Sequence, residues 1–290
     1  MTPVIVEAVR TPFGKRGGAV SGLHAAELLG AVQRGVLERL RLDPNLVEQV
    51  IGGCVTPIGE QFGNVTRTAW MHAGLPAPTG TTTIDAQCGT AAQAVLLLAG
   101  QIAMGALEVG VACGVEVMSR VPLTPKQGFG LGTPRPASWS LDLPDQYEAA
   151  DRIARANGFS RRDLDAYGLR SQQRARAAWD DHRFDRQIVP VTVPAADGSA
   201  PRLVDRDEGL RETSLAALAG LRPVKPDGLH TAGTSSQVSD GASAAVLTSE
   251  RAARRLGLTP RARLVAQCVI GGDTHFMLDG PVDAAAKLFA

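Results

Sequence analysis

The sequence predicts an α/β protein built on a layered sheet, and three observations carry the prediction. Short β-branched runs alternate with longer runs of helical spacing, hydrophobic residues make up 44% and charged residues 20%, and the chain has 290 residues. The alternation implies crossover connections between parallel neighbours, because parallel strands cannot be joined by tight turns. The composition leaves enough apolar surface to offset chain entropy, and the length implies a large core divided into packed pieces. Aromatics are only 4%, so that core is expected to be mostly Ala, Val, Leu and Ile.

The elements follow in order. Pro3 to Val9 is β-rich, and Ala25 to Leu40 sets apolar residues at helical spacing with Glu and Arg on the other face. Gln49 to Val55 reads as a second strand and Phe62 to Ala73 as a second helix. Thr81 to Ala86 is β-branched, an Ala/Leu-rich helical run begins at Cys88, and Val109 to Cys113 is a short buried strand. After Arg120 the composition turns to Pro, Gly and Trp until Asp145, which marks a loop-rich insertion. Ala149 to Asn157 and Arg161 to His182 are helical, the second starting at Ser160 as N-cap. Val189 to Val193 is a strand candidate, and Pro201 to Lys225 is polar and turn-rich. Ala242 to Leu247 returns to strand, Ser249 to Leu256 to helix, and Ala262 to Ile270 to a last strand.

A formal charge of +1 gives no average field that would draw nucleic acid or an anionic membrane, so neither is expected as a partner. Ala91 to Leu107 is too short and too polar for a bilayer and reads as a buried helix. The N-terminus passes into a strand pattern without a signal core, which predicts a cytoplasmic protein. The four cysteines, Cys54, Cys88, Cys113 and Cys268, form no Cys-x-x-Cys pair, which disfavours disulfides and structural zinc.

Among these thiols Cys88 stands out. In Ile84-Asp85-Ala86-Gln87-Cys88-Gly89-Thr90-Ala91-Ala92 a strand feeds a helix, and the junction lies near free backbone N–H groups. Such groups can lower a thiol's pKa and bind a developing oxyanion, so Cys88 is a candidate nucleophile. Gly89 would let a thioester approach closely. Cys54 and Cys113 follow strand runs and read as packing residues.

This segment resembles the nucleophile signature of the thiolase family, with Thr90 and Ala91 where Ser-Gly is usual. Three other segments match in order: Val6 to Gly14, Cys113-Gly114-Val115-Glu116-Val117-Met118-Ser119, and Leu229 to Ala242. The resemblance implies a thiolase-type layered α/β/α sandwich with an inserted loop domain and a truncated second core domain. Residues 1–119 and 242–258 would form the N-terminal core domain, 120–241 the loop domain on the coenzyme A side, and 259–290 the start of the C-terminal domain. It also implies acyl transfer between 3-ketoacyl-CoA and coenzyme A through an acyl-Cys88 intermediate, as thiolysis or the reverse Claisen condensation. Coenzyme A enters as a substrate, and no cofactor or metal is called for. Ser236 matches the serine that bonds the pantetheine arm, although Thr234 replaces the usual Asn, and Arg211 matches a cation near the nucleotide end. A homodimer or homotetramer is implied, with the Thr81 to Ile84 strand near the two-fold axis.

The family completes proton transfer with Gly-His-Pro, Cys-x-Gly and Asn-Glu-Ala-Phe motifs, and none of them occurs in this sequence. Cys268 does not match the second catalytic cysteine, and His24, His72, His182, His230 and His275 match no catalytic position. Asp145 stands where some short-chain members place a His. Three readings stay open on sequence: a thiolase, a catalytically defective thiolase-like protein that binds acyl-CoA or a partner subunit, and another acyltransferase of the superfamily such as a ketoacyl synthase.

Overall fold

A computed structural model describes residues 1–122, 135–195 and 199–290. Residues 123–134 of the expected loop-rich stretch therefore lie outside the described residues. The strands are β1 (Pro3–Arg10), β2 (Gly14–Lys15), β3 (Gln49–Gly53), β4 (Gly80–Ile84), β5 (Val109–Val117), β6 (Val191–Val193), β7 (Arg202–Val204), β8 (Ser239–Ser249) and β9 (Ala262–Arg263). The helices are α1 (Ala25–Leu40), α2 (Val65–His72), α3 (Thr90–Met104), α4 (Gln146–Ala156), α5 (Arg161–Asp180), α6 (Leu215–Ala219), α7 (Glu250–Arg255) and α8 (Gly280–Phe289). The chain divides into two units, Met1–Pro125 with Phe184–Gly209 and Val238–Val265, and Lys126–Arg183 with Leu210–Gln237 and Ala266–Ala290.

The first unit holds a sheet in the order β4-β3-β5-β8-β1-β9, with β2 also pairing β8. β3 runs parallel to β4 and β5, as the alternating pattern predicts. The rest departs from an all-parallel sheet: β8 is antiparallel to both β5 and β1, and β9 is antiparallel to β1. Side-chain periodicity records which face a strand buries but not its direction, so the late return of β8 between β5 and β1 could not be read from alternation. The strand expected over Ala262 to Ile270 is likewise reduced to the two residues of β9.

Alternate strand residues feed two apolar layers. Val111 and Val246 face α1, in a cluster that includes Leu28, Leu29, Val32, Val36 and Trp70. Ala112 and Leu247, one residue on, face α3 through Leu98 and Ile102. The first unit is thus the expected layered sandwich. Helix α1 begins at His24, whose Nδ1 accepts the Ala26 N–H while Glu27 accepts the His24 N–H, a capping box that gives this histidine a structural task. The run expected to be a buried helix is α3, and here one face of it is buried: Ala94, Leu98 and Ile102 are covered, while Leu97 and Met104 are exposed.

Three of the four signature segments meet in this sheet. Gly14 pairs Asp240, Thr11 Oγ1 accepts the Ala242 N–H at 3.1 Å, and Asp240 accepts the Ser119 N–H at 2.8 Å. Arg10 donates to both carboxylate oxygens of Asp207 at 2.7 and 2.9 Å and lies over the rings of Phe13 and Phe184. That pair fastens the segment after Phe184 to the end of β1.

In the second unit Asp145 caps α4 and Ser160 caps α5, the latter in a capping box with Asp163. Arg161 pairs with the buried Asp165 at 2.9 Å and donates to the Leu218 carbonyl, seating α6 on α5. Among the described residues no helix is long and apolar enough to cross a membrane, and no group of three or more His, Cys, Asp or Glu could hold a metal ion.

Candidate active site

Cys88 lies in the five-residue connection between β4 and α3. The connection is shaped by its own hydrogen bonds. Asp85 Oδ1 accepts the Gln87 N–H at 2.7 Å, Gln87 adopts a positive φ of 51°, and the Gly89 N–H donates to the Ala86 carbonyl at 3.2 Å. Thr90 closes the turn: its buried hydroxyl accepts the Ala86 N–H at 2.8 Å and donates to the Gln87 carbonyl. No side chain caps α3; its first amide, the Thr90 N–H, donates to the Gln87 carbonyl at 3.0 Å, so a group at residue 88 faces a helix start without a side-chain acceptor. The Cys88 side chain is exposed.

The approach of α3 to the sheet explains the glycines at the end of β3. A Cβ on Gly53 would come within 2.5 Å of Thr90 Cγ2, so only glycine lets the helix start this close to the strand end. Beside it, Glu116 accepts the Val55 N–H and the Gln61 side-chain N–H at 2.9 and 2.8 Å, bracing the loop after Cys54.

The other thiols are of a different kind. Burial, followed by the charge of Glu116, pushes Cys54 up to about 12. Burial also pushes Cys113 up to about 12, against a weaker opposing hydrogen bond from Gln33. Cys268 is half-buried and donates to the Ala284 carbonyl. A cavity of about 520 Å³ lies between β4 and the stretch that follows β3, lined by Cys54, Phe62, Asn64, Thr82, Ile84 and Asp85; Cys88 does not line it.

The other two expected site residues belong to the second unit. Ser236 is exposed at the end of the turn from Leu229. Arg211 is exposed, with its backbone N–H held by Gln172 Oε1 at 3.1 Å. Gln172 and Gly168 lie one turn apart on α5, and a Cβ at Gly168 would come within 2.6 Å of the Gly233 carbonyl, so one helix face supports both the Arg211 backbone and the Ser236 turn. His230 Nδ1 lies 3.2 Å from Thr234 Oγ1. Asp145 pairs with Lys225 at 2.6 Å, and the Lys225 hydrogen bond is the first cause holding its carboxyl below the usual carboxylate range. Sequence reasoning missed Thr90 and Gly168 as shaping residues. Thr90 left one signal, its departure from the usual Ser.

A solved structure places this arrangement in a fold class. The chain matches the crystal structure of human mitochondrial 3-ketoacyl-CoA thiolase with a TM-score of 0.87 and 31% identity, over 99% of this chain and 76% of that one. The family profile described as "Thiolase, N-terminal domain" matches residues 3–251. Among curated proteins, the steroid 3-ketoacyl-CoA thiolase FadA6 of Mycobacterium tuberculosis is 41% identical over 97% of this chain and 70% of its own length. A 3-ketoacyl-CoA thiolase of Vibrio cholerae is 40% identical over 99% of this chain and 74% of its own. The chain belongs to the thiolase family.

Proposed function

We propose that this protein transfers acyl groups between 3-ketoacyl-CoA and coenzyme A, with Cys88 as the acyl-carrying nucleophile. The observation that carries the proposal is an exposed cysteine between a β-strand and an uncapped helix N-terminus, in a chain of this family. The Cys88 sulfur bonds to C3 of the 3-ketoacyl thioester and its proton passes to a base. The C2–C3 bond then breaks, the electron pair stays on C2 as an acetyl-CoA enolate, and that carbon takes a proton. The thiol of coenzyme A attacks the acyl-Cys88 carbonyl, and the Cys88 sulfur leaves. Both half-reactions balance without oxidant or reductant, so coenzyme A is a substrate and no redox cofactor enters.

Ser236 is proposed to hydrogen-bond the pantetheine arm and Arg211 to face the nucleotide end; the exposure of both supports the reading. The domain division of residues 1–119 with 242–258, 120–241 and 259–290 belongs to the same proposal. So does a homodimer or homotetramer formed along β4, which ends the sheet on one side and has a cavity along it. A cytoplasmic setting is part of it, with no nucleic acid or membrane as partner. The steroid named for one relative, and the 3-ketoacyl-CoA named for the others, support a degradative substrate.

The test is to incubate the purified protein with acetoacetyl-CoA, with and without coenzyme A, and read both thioester cleavage and the mass of the Cys88 peptide. Acetylation of Cys88 with turnover supports the proposal, and Cys88→Ser abolishes both. Acetylation without turnover marks a protein that accepts an acyl group but lacks the proton carriers supplied elsewhere in the family by Gly-His-Pro and Cys-x-Gly, motifs not found in these 290 residues. An unmodified Cys88 overturns it.

A further inference from the structure

We infer that Asp151 and Thr231 are positioning residues that hold the Leu229–Ser236 turn so that Ser236 alone presents its hydroxyl outward. The inference rests on the reading of Ser236 as the pantetheine contact and adds the groups that make that contact geometrically possible.

Asp151 sits on α4 at 1% exposure, an unusual place for a carboxylate. Its Oδ1 accepts two consecutive backbone N–H groups, from Leu229 at 2.9 Å and His230 at 3.1 Å. Two adjacent amides aimed at one oxygen fix the chain where it enters the turn. Arg155 on the same helix donates to the Asp227 carbonyl just upstream. A Cβ on Gly228 would come within 2.6 Å of Asp151 Oδ2, so the entry lies directly against the carboxylate.

Inside the turn, three hydroxyls are spent on its own backbone. Thr231, fully buried, accepts the Gly233 N–H at 3.1 Å. Thr234 Oγ1 accepts the Thr231 N–H at 3.0 Å, and Ser235 Oγ donates to the Thr231 carbonyl at 2.7 Å. Ser236 is the next hydroxyl in the chain and it is exposed. The run Thr231-Ala232-Gly233-Thr234-Ser235-Ser236 therefore divides into three hydroxyls that build the turn and one left for a ligand. An amide group of a pantetheine arm is the chemistry such an outward hydroxyl suits, since it can donate to a carbonyl or accept from an N–H.

The experiment measures coenzyme A binding by calorimetry on the whole chain for wild type, Ser236→Ala, Asp151→Ala, Asp151→Asn and Thr231→Val. Amide hydrogen exchange at residues 229 and 230 and the melting transition are recorded for each. Asp151→Ala is expected to raise Kd about tenfold and speed exchange at those two amides, whereas Asp151→Asn, which keeps an acceptor oxygen, stays within about threefold of wild type. Rescue by Asn separates an acceptor that shapes the turn from a charge that attracts the ligand. Thr231→Val preserves volume and is expected to weaken binding severalfold; it carries the question if Asp151→Ala does not fold. Unchanged affinity in Asp151→Ala or Thr231→Val, or an Asn variant as weak as Ala, overturns the inference while leaving Ser236 intact. If Ser236→Ala binds as wild type, or wild type does not bind coenzyme A, the Ser236 reading falls and this inference falls with it.

Discussion

Cys54 and Cys88 follow neighbouring parallel strands, β3 and β4, and they end in opposite environments. β3 runs between two partners, and the residue after it is sealed: Cys54 is 1% exposed and its N–H donates to the Ile84 carbonyl at 3.1 Å. β4 ends the sheet, and five residues of turn carry the chain out before α3 begins, so Cys88 reaches solvent. The same residue type after the same kind of strand is buried in one place and accessible in the other. What distinguishes them is the partner beyond the strand and the uncapped helix start.

The largest expected effect is chemical. In native protein at pH 8, iodoacetamide should label Cys88 far ahead of Cys54 and Cys113. A thiol pushed from 9.0 to about 12 holds roughly 10³-fold less thiolate, before steric shielding is counted. Comparable labelling of Cys113 in folded protein, read by peptide mass, would break the contrast.

Alkaline stability sharpens it. The folded Cys113 thiol is raised above its unfolded value, so its contribution is fully present below pH 9 and is lost as pH rises from 9.0 towards about 12. The loss should approach ~1.4 kcal/mol per pH unit for this thiol in that window. Urea unfolding at pH 8 and pH 10 should show a shallower loss in Cys113→Ala than in wild type.

Next in size is the seat of α3. Leu98 is fully buried under the helix, so Leu98→Ala should cost about 3 kcal/mol in a denaturant midpoint measurement. A cost below ~1 kcal/mol would mean that α3, and with it the Cys88 turn, is not anchored to the sheet by this face.

The smallest effect isolates the turn itself. Thr90→Val keeps shape and removes both hydroxyl bonds to Ala86 and Gln87, at a cost of about 1–2 kcal/mol. It should change the Cys88 labelling rate while leaving Cys54 protected. An unaltered Cys88 rate would show that the turn holds its shape without Thr90.

Much of this was legible in the residues. The β-branched Thr81 to Ile84 and the Ala/Leu run after Gly89 mark the strand and helix that bracket Cys88, and Ser160 marks its helix as the N-cap. The layered sandwich and the family followed from ordered motifs, and β8 shows why they travel together, since it pairs with both β1 and β5. What stayed hidden depends on contacts remote in sequence. Asp151 stands beside Arg152 on a polar helix, and nothing in its neighbours marks it out; its carboxylate is buried against amides more than seventy residues later. The directions of β8 and β9 leave no trace in a two-residue period. The run of α3 read as a buried helix because Ala and Leu dominate it, whereas among the described residues only the side against the sheet is covered.

The placement of β8 also governs how this protein comes into being. β1 and β5 are made early, yet they are bridged only by residues 239–249, which leave the ribosome after β5 is already complete at Val117. At ~5–20 residues per second the wait lasts many seconds, during which two apolar strand edges have no mate. Unpaired apolar edges of this kind are where incompletely made chains associate with one another, so the late strand sets the interval of greatest exposure.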